Sequence, residues 1–221
     1  MASSVEAINK VLKTEGGFVN NPADRGGATN YGITQKVYEE FKGRKVTIDE
    51  MRNMPIEDAK AIYKAGYWDK VAGDMISNYS IAYTLFDQAV NRGVNSAIMQ
   101  AQRILGQAVT GLMNGTLLNA LNALKPDQAK SFLNSYFDAS EKFYKDLATK
   151  DPTQIIFLQG WLNRVAGLRA YAESGLSAVV TSIKENPWIY AVPAVAMAGV
   201  ITYYLINQRG NNGRNLSRLA V

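Results

Sequence analysis

Glu15 is the residue whose position in the sequence suggests chemistry most directly. Apolar residues recur at helical spacing over residues 5–12, and the pair Gly16-Gly17 is expected to end that helix directly after Glu15. The free carbonyl groups at the end of a helix carry partial negative charge, which disfavours ionisation of a nearby carboxyl group. A carboxyl group that stays protonated near neutral pH can act as a general acid. The position of Glu15 therefore fits proton transfer to a leaving group, such as a glycosidic oxygen.

Polar residues follow Glu15 in a pattern typical of a small β-hairpin. Two short alternating segments, residues 18–20 and 29–33, are joined by a run rich in turn-forming residues. A hairpin would place Asp24 on the turn and Asn30 or Tyr31 on the returning strand, so that several polar groups could converge on one side of Glu15. The alternative is an ordinary corner between helix and hairpin, in which Glu15 and Asp24 are solvated surface carboxylates.

Histidine and cysteine are both absent from the 221 residues. Their absence excludes Ser-His-Asp and Cys-His hydrolysis. It also disfavours zinc hydrolases, because most of these need at least one imidazole ligand. No disulfide framework is possible without cysteine. We therefore expect neither a metal nor another cofactor.

The net charge of +5 is modest and uneven. Arg209, Arg214 and Arg218 lie close to the end of the sequence, where residues 207–221 contain no acid. This excess is too weak and too local for a nucleic-acid partner. A mildly basic protein that faces an anionic bacterial cell wall is compatible with it.

Helical patterns dominate the rest of the sequence. Thr34 precedes a segment of helical periodicity that Gly43 closes, and Thr47 and Glu50 have the spacing of a capping box. Lys125-Pro126 begins a long helix. The sequence therefore predicts a mainly α protein with one small hairpin.

Two polar residues, Asp87 and Asn91, interrupt an apolar helix predicted over residues 78–93. They are four positions apart and therefore share one face of the helix. Either they face a binding cleft and contact a substrate, or they cap neighbouring backbone groups inside the helical core.

The segment EGGFVNNPADRGGATNYGIT, residues 15–34, resembles the signature of glycoside hydrolase family 108, which comprises phage and bacterial peptidoglycan-cleaving enzymes. Residues 85–93 and 157–165 resemble two further segments of this family, the second in its C-terminal peptidoglycan-binding part. The three segments occur in the family's order, and the resemblance covers residues 1–173. It implies a lysozyme-like helical domain that cleaves peptidoglycan. Without histidine and cysteine, carboxylate chemistry on the glycan strand is the usual route that remains.

The resemblance also implies roles for individual residues. Glu15, before the double glycine, corresponds to the family's catalytic acid. Related phage lysozymes use a Glu, an Asp and a Thr, and the eight residues between their two acids also separate Glu15 from Asp24. At the position of their Thr this sequence has Asn30, with Thr29 one position earlier, so that either of the two, or neither, holds the nucleophilic water. Apart from the resemblance, the position of Tyr31 on the predicted returning strand makes it a candidate for contact with the substrate.

The C-terminal part contains two further features. The turn at residues 111–116 resembles the turn of peptidoglycan-binding modules, but Thr110 stands where such turns commonly carry an Asp. Residues 188–206 form an uncharged stretch of nineteen residues with aromatic residues at both ends. As a helix it would be about 28 Å long, close to the ~30 Å hydrocarbon thickness of a bilayer. We predict a membrane-spanning helix here; the alternative is a buried hairpin helix.

Four segments result from these patterns. A lysozyme-like catalytic part with a small β-hairpin is expected at residues 1–108, and a helical part that resembles a peptidoglycan-binding module at 109–185. A transmembrane helix is expected at 186–207, followed by a basic tail at 208–221. The predicted function is hydrolysis of the β-1,4 linkage of peptidoglycan by a phage lysin.

The expected partners are peptidoglycan, membrane lipid at residues 188–206 and other virion proteins. The protein is expected to be membrane-associated, in a virion or the host inner membrane, and to act on the periplasmic or cell-wall side. Two alternatives stay open. One is a membrane-bound virion ejection component whose lysozyme-like fold only binds the wall, although retention of both acids argues against it. The other is a hydrolase directed at chitin. The sequence also leaves open whether the reaction inverts, retains or yields an anhydro product, because the outcome depends on the distance between two carboxyl groups.

Overall fold

The chain is mainly helical, as its sequence predicts. The structure, a computed structural model, describes residues 3–20 and 27–174. There the chain divides into two units, one formed by residues 3–14 with 55–174 and the other by residues 15–20 with 27–54. The predicted membrane segment at residues 188–206 and the basic tail lie outside the described residues. Within the two described ranges, no helix is both long enough and apolar enough to cross a membrane.

Eleven regular elements can be followed along the described residues. In chain order they are α1 (Ser4–Thr14), β1 (Thr29–Asn30), β2 (Ile33–Thr34), α2 (Gln35–Lys42), α3 (Ile48–Arg52), α4 (Ile56–Tyr63), α5 (Tyr79–Arg92), α6 (Val94–Ile104), α7 (Gly115–Ala123), α8 (Pro126–Lys150) and α9 (Ile155–Ser174). A π-helical turn, Lys64–Trp68, follows α4, and short 3₁₀ turns lie at Gly73–Met75 and Pro152–Gln154.

The helix ends confirm several signals in the sequence. The Thr34 hydroxyl accepts a hydrogen bond from the Val37 backbone N–H at 3.4 Å and caps α2. At the start of α3 the capping box is complete, because Thr47 Oγ1 accepts from the Glu50 N–H and Glu50 Oε2 accepts from the Thr47 N–H. These bonds satisfy N–H groups that the first turn of a helix cannot satisfy by itself.

In the larger unit, α5 is the central buried helix, and α1 packs on α4 and α5. Leu85 and Phe86 of α5 are fully buried, and the Trp68 indole meets the Phe86 ring edge-on at 5.5 Å between centroids. Gly73 packs against that indole so closely that a Cβ atom would lie 2.3 Å from it. The long helices α8 and α9 pack against each other in the same unit.

The hairpin of the smaller unit is tighter than the sequence pattern indicates. β1 and β2 are antiparallel, with Asn30 opposite Ile33, so the turn consists only of Tyr31 and Gly32. The segment before it joins through one antiparallel bridge between Val19 and Thr29, whose N–H and C=O groups exchange two bonds of 2.8 Å. This bridge agrees with the predicted pairing of residues 18–20 with the segment that begins at Thr29. The two-strand hairpin itself turns later in the chain, at Tyr31 and Gly32, where both φ angles are positive.

Candidate active site

Glu15 is the first residue of the smaller unit and follows α1 directly. It is buried, with 5% of its surface exposed. This burial excludes the alternative in which Glu15 is a solvated surface carboxylate. Removal of a carboxyl group from water generally favours the neutral form, which is the form that a general acid uses.

The hairpin holds Thr29 and Asn30 in buried positions, each with 4% of its surface exposed. The backbone of Thr29 is bonded to Val19, four positions after Glu15. The Asn30 amide nitrogen donates to two carbonyl oxygens at the end of α3, Met51 O at 2.8 Å and Arg52 O at 3.1 Å. Since the last carbonyls of a helix have no partner within the helix, this side chain fastens the hairpin to α3.

Arg52 makes a contact near the predicted site that the sequence did not suggest. Its guanidinium group lies over the Phe18 ring, 4.9 Å from the centroid, and also pairs with Asp49 at 2.8 Å. The end of α3 therefore contacts the segment that follows Glu15 through Phe18 and the hairpin through Asn30. Both segments of the predicted site are held by one short helix.

Tyr31 occupies the first position of the hairpin turn and is partly exposed. Its φ angle is 49° and that of Gly32 is 73°, so both turn residues are left-handed. The other predicted acid, Asp24, lies outside the described residues, and its role stays a prediction.

Asp87 and Asn91 lie on α5, in the larger unit, and each is 3% exposed. Asp87 accepts hydrogen bonds from Arg164 of α9, with Nε at 3.1 Å from both carboxylate oxygens and Nη2 at 2.9 Å from Oδ2. The Asn91 amide nitrogen donates to the Asp87 carbonyl oxygen at 2.7 Å and to Asp87 Oδ1 at 3.1 Å. Asn91 thus bonds to a neighbouring backbone group, as the second alternative has it, whereas Asp87 pairs with a side chain of α9. Substrate contact by either residue stays a prediction.

Two family models match the chain. The model described as Glycosyl hydrolase 108 matches residues 8–93, and the one described as Predicted Peptidoglycan domain matches residues 96–166. Among solved structures, that of Brucella abortus SagA is similar over 79% of this chain and 97% of that one, with 32% sequence identity and a TM-score of 0.65. The chain belongs to the glycosyl hydrolase 108 family. No curated protein matches it.

Membership of the glycosyl hydrolase 108 family confirms the resemblance read from residues 15–34, because that segment lies within the matched range. The protein is a glycoside hydrolase that acts on peptidoglycan. The buried Glu15 thus lies in the part of the chain that carries the hydrolase match.

The turn at residues 111–116 lies in the second matched segment of this glycosyl hydrolase 108 chain. Gln102 is buried, and its Oε1 accepts from the N–H groups of Thr110 and Gly111 at 2.9 and 3.0 Å. The Thr110 hydroxyl accepts from Gln102 Nε2 at 2.9 Å and from the Leu112 N–H at 3.3 Å. Thr110 therefore bonds to the turn as a short acceptor side chain does in an Asx or ST turn, which explains how the turn forms without an Asp.

Proposed function

We propose that this glycoside hydrolase cleaves the β-1,4 linkage of the glycan strand, with Glu15 as the acid that protonates the leaving oxygen. The observation that carries this proposal is the burial of Glu15 directly after α1, within the segment that matches the hydrolase family. A glycan strand requires a proton donor next to the scissile bond, because an unprotonated alkoxide is a poor leaving group. The absence of histidine leaves carboxyl groups as the natural donors.

In this mechanism the proton passes from Glu15 to the glycosidic oxygen while the bond from that oxygen to the anomeric carbon breaks. The sugar then carries positive charge, which the carboxylate of Asp24 offsets directly or through a water molecule that it positions. Water supplies the hydroxyl group of the new reducing end, and its remaining proton restores the neutral form of Glu15 through solvent. Either the Thr29 hydroxyl or Asn30 Oδ1 is the proposed contact for this water, because neighbouring residues of a strand face opposite sides; on Asn30 the oxygen is proposed, since the amide nitrogen is already bonded to α3.

The first experiment measures turbidity loss of purified peptidoglycan and the masses of the fragments, for the wild type and for Glu15→Gln. The amide keeps the shape of the side chain but cannot supply the proton, so we expect kcat to fall by about 10²- to 10⁴-fold with an unchanged circular dichroism spectrum. Glu40→Gln is the matched control, because Glu40 is exposed on α2 of the same unit. It should keep wild-type activity.

Wild-type turnover by Glu15→Gln would show that Glu15 is not the acid. Fragments released by the wild type that lack new reducing ends would contradict hydrolysis of the glycan strand. Chitin cut in preference to peptidoglycan would favour the alternative substrate, and binding to the wall without any fragments would favour a wall-binding component.

We also propose, from the sequence, a phage-lysin role and membrane anchoring at residues 188–206. The uncharged nineteen-residue stretch supports the anchor.

A further inference from the structure

The hairpin turn contains a tyrosine at a position whose backbone conformation is usually adopted by asparagine or glycine. Tyr31 and Gly32 are the two residues between Asn30 and Ile33, and both have positive φ angles. Two-residue turns with this geometry strongly prefer Asn-Gly, because asparagine and glycine tolerate the left-handed region. For a bulky side chain the Cβ atom crowds the following carbonyl group, so Tyr31 is strained.

The neighbours of Tyr31 on the hairpin are held firmly in place. Thr29 is bonded to Val19 on one side and faces Thr34 across the hairpin on the other. Asn30 is fixed by its two bonds to α3. These neighbours impose the left-handed backbone, and asparagine would satisfy it with less strain. Strain kept at one position commonly marks a site where the side chain serves function.

The same contacts relate the direction of the turn to that of the segment that leads back to Glu15 within the smaller unit. The bridge between Val19 and Thr29 is antiparallel. In an antiparallel pair the two chains run in opposite directions. The chain traced backwards from Val19 to Glu15 therefore runs in the same direction as the chain traced forwards from Thr29 to Tyr31. The contact of Arg52 with Phe18 holds the intervening segment on the same helix end that binds Asn30. From this bridge, the segment that leads back to Glu15 and the segment that leads to the turn consequently run towards the same end of the small sheet.

We propose that Tyr31 is a sugar-binding residue whose ring stacks on an N-acetylated aminosugar next to the bond that Glu15 cleaves. The ring is partly exposed, and its face offers apolar area that complements the C–H face of a pyranose. The backbone strain is then the cost of an aromatic ring at this place. This inference rests on the proposed glycan cleavage but concerns binding, which can be measured without turnover.

The test uses Tyr31→Asn, which removes both the ring and the strain, beside Tyr31→Phe, which keeps the ring and the strain. Each is made in the full chain and also in the Glu15→Gln background, where the dissociation constant for purified, undigested glycan-strand oligosaccharides is measured. We expect Tyr31→Asn to raise Tm by about 2–4 °C and to weaken binding by about 2- to 10-fold, a range typical of one aromatic contact. Tyr31→Phe should leave Tm unchanged and the dissociation constant within twofold of that of the parent.

Two outcomes would overturn the proposal. If Tyr31→Asn bound oligosaccharides as tightly as the parent, the ring would have no part in binding. If Tyr31→Asn lowered Tm instead of raising it, the ring would be a structural element of the hairpin. Failure of glycan cleavage by the wild type would count against the proposed function, whereas the comparison of dissociation constants would still decide the role of Tyr31.

Discussion

The buried side-chain amide of Asn30 is expected to contribute to the stability of the smaller unit. Its nitrogen donates to Met51 O and Arg52 O, so that replacement with alanine leaves two carbonyl groups at the end of α3 without this partner. A buried polar group that loses its partner typically costs about 1–3 kcal/mol. We expect Asn30→Ala to lower the free energy of unfolding by that amount, measured by urea denaturation.

Asn53→Ala is the matched control for this prediction. Asn53 also donates its amide nitrogen to a carbonyl group of α3, Asp49 O at 3.0 Å, but it is exposed to water, which can replace the bond. We expect a change within about 0.5 kcal/mol for this variant. Equal losses for the two variants would mean that burial of the Asn30 amide does not determine its contribution.

The residues of the candidate site differ in how far the sequence could predict them. Glu15 was predictable, because a helical period that stops at two glycines fixes its local position. The partners of Asn30 were not, since they lie twenty-one and twenty-two positions along the chain and depend on tertiary packing. Arg52 carries no local signal either, as its contact with Phe18 arises only when α3 folds against the hairpin. Asp24 and its role remain predictions.

At the scale of elements, the pair of Asp87 and Arg164 joins α5 to α9. The Arg164 side chain is 10% exposed and that of Asp87 is 4% exposed. Removal of one partner from a buried ion pair leaves an uncompensated charge, which typically costs about 3–5 kcal/mol. We expect Asp87→Asn to destabilise the protein by this amount in urea denaturation, with little cost for the double variant Asp87→Leu with Arg164→Met, because no buried charge is then left alone.

The ion pair of Asp138 and Arg169 provides an internal comparison. It joins α8 to α9 with a distance of 2.6 Å, but the Asp138 side chain is 72% exposed. Surface pairs contribute about 0–1 kcal/mol, so Asp138→Asn should be nearly neutral. If Asp138→Asn lowered the free energy of unfolding more than Asp87→Asn, burial would not determine how much each ion pair contributes to stability.

The elements themselves were more predictable than their contacts. The capping box of Thr47 and Glu50 and the start of α8 at Pro126 are local signals, and the structure has them where the sequence places them. The sequence indicated the pairing of residues 18–20 with the segment at Thr29, but not the tight turn that follows, because the left-handed Tyr31 carries no local signal for a turn. The pair of Asp87 with Arg164 was not predictable, because the two residues are seventy-seven positions apart and meet only when α9 packs on α5.

At the scale of the whole molecule, the two family segments meet inside one unit. Asp87 lies in the segment that matches the hydrolase model and Arg164 in the segment that matches the peptidoglycan model. The unit formed by residues 3–14 and 55–174 extends across the predicted boundary between residues 108 and 109, which stays a prediction. The free energy of unfolding of the whole unit should therefore depend on groups buried in either segment.

Buried tyrosines provide such a response at high pH. Burial raises the pKa of Tyr136 and the pKa of Tyr144 to about 12, from an ordinary value near 10. Because the folded state holds these protons more tightly than the unfolded state, the stabilisation is fully present below pH 10 and is lost as the pH rises through 12. A shift of this size corresponds to a loss on the order of 2–3 kcal/mol for each tyrosine. Burial also lowers the pKa of Lys10, which acts in the opposite direction as the pH approaches the ordinary lysine value.

We therefore expect the free energy of unfolding to fall steeply between about pH 10 and pH 12, measured by urea denaturation at a series of pH values. Tyr144→Phe isolates the effect, because it keeps the ring that stacks on Trp161 at 5.1 Å and removes only the ionisable hydroxyl group. For this variant the free energy of unfolding should fall less between pH 10 and pH 12, by about the contribution of one tyrosine. Exposed lysines also titrate in this range, but they are the same in both proteins. Parallel curves for Tyr144→Phe and the wild type would show that Tyr144 does not contribute to the alkaline loss of stability.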